Sequence, residues 1–202
     1  MVNKLISILK LLIAILLLPV VVGTSFALAK EMNLSERFLV SSFLWGVFSF
    51  LLLYHLIWES EIVYKKGQRI VEVIFKFFSP LVKVASFCLP IYALLILITY
   101  WLLSALIPGL KNLVNYFIFF VSFSLTMHIV FTAESLKSRQ SDFLKANYFF
   151  AMELIYLLNI CLIAGLFNLA LEGFSFLDFF RASCQNTQNI FLPVFNQLFV
   201  AK

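Results

Sequence analysis

The chain reads as an all-α integral membrane protein: a five-span helical bundle with a cytoplasmic interfacial amphipathic helix and a short outside C-terminal helix. Three observations carry this reading. Hydrophobic residues make up 63% of the 202-residue chain. Charged residues make up only 12%, about half the share of a soluble domain. The apolar residues gather into five runs, Leu5–Ala29, Phe38–Trp58, Val84–Ile107, Leu113–Thr132 and Tyr148–Leu171, each of about 20 residues or more, enough to cross a hydrocarbon layer roughly 30 Å thick as a helix. No polar stretch is long enough for a separate aqueous domain, so residues 1–202 are expected to form a single polytopic membrane domain. The 25 phenylalanines serve as packing bulk against lipid and neighbouring helices.

The first run has two readings. It is a membrane anchor, or, with Lys4 and Lys10 as a basic head and Ala27-Leu28-Ala29 as a small-residue cleavage site, a signal peptide over residues 1–29. Both put residue 30 outside. Asn33-Leu-Ser-Glu36 then resembles a capping box before the second span. With the N-terminus inside, ten of the fifteen Lys and Arg residues fall on inside segments and five on outside ones, which favours an N-in, C-out arrangement.

Between the second and third spans, Arg69, Glu72, Lys76, Ser79 and Lys83 recur at helical spacing within an otherwise apolar stretch. This predicts an interfacial helix over about 68–82, with Arg69, Lys76 and Lys83 as membrane-surface residues facing lipid headgroups. Docking of the same helix on the protein's own bundle is the other reading. Pro90 is expected inside the third span as a kink. Pro108-Gly109 makes a tight outside turn, so spans three and four form a hairpin. The fourth span runs on into the polar segment Thr132–Lys145. After the fifth span comes the polar run Ser183–Asn189, then an apolar stretch, Ile190–Val200, too short to span and read as the outside C-terminal helix.

Cys88, Cys161 and Cys184 form no CxxC pair, which argues against a disulfide framework or a thiolate metal site. No dense basic patch exists, which argues against nucleic-acid binding. Ionisable residues at membrane depth are costly and mark candidate sites. Here they are His55, with Glu59 four residues on, His128, and Glu153. If the fourth and fifth spans are antiparallel neighbours with a turn near residue 140, His128 and Glu153 reach a similar depth and form an intramembrane polar pair. His55, Glu59, His128 and Glu153 together are the weak candidates for a metal site, zinc being the metal such ligands suit. No catalytic residue and no cofactor is otherwise expected.

Three segments carry a family likeness: Val63–Glu72 after the second span, Ser86–Tyr92 opening the third, and His128–Asp142. On these, residues 38–171 resemble bacterial membrane proteins related to the site-2 (M50-like) zinc metallopeptidases. That family places a Gly-His-Glu-x-x-His segment at the first of them. Here the zinc-binding and catalytic positions are occupied by Gln68, Arg69 and Glu72. Gln is a poor zinc ligand and Arg cannot act as a base. The resemblance therefore implies a degenerate member, without HExxH, in the cytoplasmic (inner) membrane of a bacterium. The expected function is a non-enzymatic polytopic membrane protein, a pseudo-peptidase that binds or scaffolds another membrane protein, or associates with itself, within the lipid bilayer. The alternatives are a membrane-embedded metallohydrolase with a relocated metal site, and a small transporter or transporter subunit using His128 and Glu153 as a proton relay.

Overall fold

The computed structural model describes residues 2–35, 38–56, 61–74, 87–138 and 146–199. Its helices are α1 (Val2–Ser35), α2 (Leu39–Leu56), α3 (Glu61–Ile74), α4 (Ile91–Leu106), α5 (Val114–Ser138), α6 (Ala146–Ala170) and α7 (Phe176–Phe199), with a 3-10 turn at Pro108–Leu113 between α4 and α5. There is no strand among the described residues. Four helical segments are long and apolar enough to cross a membrane: Leu5–Ser35, Leu39–Leu56, Gly109–Lys137 and Tyr148–Ala170. The described residues are thus helical, with four candidate membrane spans that are the counterparts of the first, second, fourth and fifth expected ones.

The third differs. Pro90 lies before α4 rather than inside it, with φ −79° and ψ 71°. Proline disfavours helical geometry in the residue before it, and Leu89 and Pro90 are both outside helix. What remains is a 16-residue helix, about 24 Å long at 1.5 Å per residue. That is short of a full hydrocarbon layer.

Two further expectations change. Helix α1 continues through Asn33-Leu34-Ser35, so Asn33 is an interior helical residue and not the cap of the next helix. Residues 190–199 are not a separate short helix, because α7 is one helix of 24 residues that includes the polar run. It is antiparallel to α1. Gly173 approaches Ser35 just before α7 begins, and Gly23 sits against Ser183 and Thr187 midway along both helices. The last residues of α7 therefore lie toward the same end of the bundle as the first residues of α1.

The helices pack in an arc. α2 lies along α5, α4 bridges α5 to α6, and α1 packs on α6 and then on α7. α1 and α2 touch only slightly, as do α5 and α6. The α2–α5 pair runs parallel, with Ser42 donating to Asn115 (3.3 Å) near one end and the rings of Phe50 and Phe123 5.3 Å apart further along. Gly46 and Ser122 are buried at their crossing. The main core joins α1, α4, α5 and α6 through residues such as Leu28, Leu97, Val121, Ile163 and Phe167. A smaller one, around Phe50, Tyr64, Met127 and Phe131, holds α3 in place.

Candidate functional site

Helix α3 begins at Glu61, seven residues before the expected start at 68, with Lys65 bridging to Glu61 at 2.8 Å. Its buried residues, Tyr64, Gly67 and Val71, follow 3- and 4-residue spacing and form one face. That face docks on α4 and α5, and a Cβ on Gly67 would come within 2.6 Å of the Tyr92 ring. The helix therefore packs on the protein's own bundle. Arg69 and Glu72 are exposed on the other side. Lys76 and Lys83 lie outside the described residues.

Docking of α3 completes a buried polar cluster. The Gln68 side-chain amide donates to the Tyr64 hydroxyl at 2.7 Å, and that hydroxyl lies 3.1 Å from the Thr132 hydroxyl. The His128 ring is tilted against Tyr64, with centroids 6.0 Å apart, and its Nε2 lies 3.1 Å from the Phe87 carbonyl. A carbonyl only accepts, so Nε2 carries the hydrogen. Tyr92 donates to the Val63 carbonyl at 2.8 Å, tying α4 to α3. The crevice between these groups measures about 10 Å³, the room of about one water and no more. Its chemistry is that of a strut: it satisfies polar groups where three helices meet.

His128 and Glu153 are both buried, as their placement within apolar runs implies, and no hydrogen bond or ion pair joins them. His128 is bonded to Phe87, and Glu153 Oε2 has no hydrogen-bond partner. α5 and α6 touch only slightly, while α4 packs on both. His55 sits at the exposed end of α2, its Nδ1 2.8 Å from the Leu51 carbonyl one turn back. Glu59 lies outside the described residues. Among the described residues, no three His, Cys, Asp or Glu side chains stand close enough together to hold a metal.

The largely apolar cavity is elsewhere, where α1, α2, α5 and α6 face one another. It measures about 350 Å³ and is walled by Met32, Phe43, Val47, Leu125 and Ile160, with three hydroxyls, those of Ser25, Thr126 and Tyr156. Such a size and lining are typical of small-molecule sites, which run from roughly 300 to 1,000 Å³. α1 and α2 touch only slightly beside it, and Leu44, one of its lining residues on α2, is exposed. The sequence held one signal for it: Tyr156 and Ser25 are polar residues inside two apolar runs. Buried Glu31 and Asn159 were missed in the same way, Asn159 donating to the Ile155 carbonyl at 2.7 Å.

At the opposite end from α3, Lys111 and Glu172 form an exposed ion pair, and the adjacent Lys111 ammonium holds the Glu172 carboxyl below its usual range.

Compared with protein-family models, with curated proteins and with solved structures, the chain matches none.

Proposed function

We propose that the protein is a non-enzymatic polytopic membrane protein that holds the transmembrane helix of another membrane protein against α7. One observation carries this reading. Gln185, Gln188 and Asn189 are exposed on α7 at the level of its contact with mid-α1. The face of α7 turned to α1 is different: it includes Phe179, Ser183, Asn186 and Thr187, with Asn186 donating to the Gly23 carbonyl at 3.2 Å. Three amides facing hydrocarbon are unfavourable unless a second helix supplies donors and acceptors. α7 pairs with a helix that is itself a candidate span, which supports α7 lying in the membrane beside it. In that arrangement α7 runs back toward the side of the α1 N-terminus, in place of the C-out end expected from five crossings.

The excess of Lys and Arg on the segments beside α3 supports an N-in orientation, in the inner membrane of a bacterium. Arg69 and Lys66, exposed on α3, then face anionic headgroups. The resemblance to zinc peptidases belongs to the same reading. Gln68, at the first HExxH position, is tied to Tyr64, and Arg69 occupies the position of the catalytic Glu.

Cys184 is exposed beside the amide stripe and provides the test. In membranes, with Cys88 and Cys161 replaced by Ala, a thiol cross-linker should join Cys184 to a partner chain. Replacing Gln185, Gln188 and Asn189 together by Leu should remove that adduct while the protein stays folded. An adduct of twice the chain mass identifies a second copy as the partner. No adduct, or one that survives the triple replacement, refutes the proposal.

A further inference from the structure

We infer that the cavity between α1, α2, α5 and α6 binds the apolar chain of a membrane lipid whose polar end is a hydrogen-bond donor, a long-chain alcohol being the simplest form. The argument starts from the hydroxyl hydrogens. Ser25 Oγ donates to the Val21 carbonyl at 2.7 Å and also lies 2.7 Å from the Tyr156 hydroxyl. Ser25 has one hydrogen and the carbonyl can only accept, so Tyr156 is the donor within the pair. Thr126 donates to the Ser122 carbonyl at 2.7 Å. All three hydrogens are thus directed at protein atoms. What Tyr156 and Thr126 still offer the cavity is oxygen lone pairs, so the polar chemistry of the site is accepting and not donating.

Placement argues the same way. The rest of the wall is apolar, so water has too few partners to fill about 350 Å³ stably. All four helices that wall the cavity are candidate spans, so the medium around its exposed lining residue, Leu44, is lipid. An occupant entering from that medium is an acyl or alkyl chain. A carboxylate or phosphate end would meet lone pairs, whereas a hydroxyl would meet the acceptors it needs. No covalent step is involved, and the site is separate from the amide stripe of α7.

The test uses the full chain in phosphatidylcholine nanodiscs with two probes of matched length, dodecanol and dodecyl methyl ether, read by the shift in melting temperature with concentration. One neutral hydrogen bond predicts dodecanol binding about two- to tenfold tighter than the ether. Tyr156→Phe removes an acceptor and should shrink that ratio toward one while leaving ether binding in place. Val47→Trp fills the cavity and should abolish the saturable shift for both. Because Val47→Trp could perturb folding, Leu154→Trp, at an exposed position on α6, serves as the matched control and should bind normally. Equal binding of alcohol and ether, no saturable binding of either, or normal binding to a folded Val47→Trp protein would overturn the inference.

Discussion

The contact between α2 and α5 should fail on the addition of a single methyl group. Gly46 is buried where these parallel helices cross, and a Cβ built on it overlaps Ser122 Oγ and the Phe119 carbonyl oxygen. Rotation of Ser122 would relieve only one of these clashes, and its hydroxyl donates to that same carbonyl at 2.9 Å. Phe119 O is backbone and moves only if α5 moves. Overpacking of a dense crossing costs about 1–3 kcal/mol, and the rigid neighbour places Gly46→Ala near the upper end. Alanine's better helix propensity returns about 1 kcal/mol. The net is a loss of roughly 2 kcal/mol, which is about 30-fold in the folding equilibrium. Gly165 on α6 is the internal control, because a Cβ there meets nothing within 4 Å. Gly165→Ala should feel propensity alone and gain up to about 1 kcal/mol. Unfolding of both variants by dodecyl sulfate in mixed micelles should separate them by about 3 kcal/mol in total. If Gly46→Ala proves as stable as Gly165→Ala, α2 and α5 do not approach as closely as described and the packing argument fails.

Three other outcomes follow from the contacts. At Gly23, a Cβ would lie 2.6 Å from Thr187 Oγ1 and 2.9 Å from the Thr187 backbone nitrogen, so Gly23→Leu should detach α7 from α1 and raise protease cleavage within 176–199, whereas Phe26→Leu, on the exposed side of α1, should not. Tyr64→Phe removes the hydroxyl that links Gln68 and Thr132; losing two hydrogen bonds should lower stability by about 1–3 kcal/mol and speed amide exchange in α3 before other helices. Because Lys111 depresses the Glu172 carboxyl, the pair contributes above the unfolded carboxyl range near pH 4.3 and its contribution disappears as pH falls through the lower folded value; in Lys111→Met, carboxyl NMR should show Glu172 titrating higher, and an unchanged titration would contradict the pairing.

Hydropathy made the membrane helices legible, because a run such as Leu39–Leu56 has no stable alternative in lipid. It said little about which helices touch. The expected His128–Glu153 pair rested on loop length, and the packing of α4 on both α5 and α6 is a tertiary event with no local signature. The small contacts that set the packing (Gly46, Gly23, Gly67) were equally silent, since six glycines in an apolar chain carry no mark of which ones face a neighbour. The polar stripe on α3 was legible only in part. Arg69 and Glu72 do face outward, but the opposite, bundle-facing side is defined by Tyr64 and Gly67, both earlier than the expected start.

Helix α7 shows why the remainder could not be read from the runs alone. Ser183–Asn189 has the composition of a loop, and in water it would be one. Within the bundle three of its residues, Ser183, Asn186 and Thr187, lie against the backbone of α1 at Gly23, where the missing side chain leaves room for them. The polar run therefore continues as helix because a partner glycine lies twelve residues before the end of α1, a coincidence across the chain that no window of sequence contains. The same periodicity turns Gln185, Gln188 and Asn189 to the far side. The local force that makes α7 a helix thus leaves three amides without a protein neighbour in the monomer, and a second helix placed there would meet the same kind of requirement that Gly23 meets on the first face.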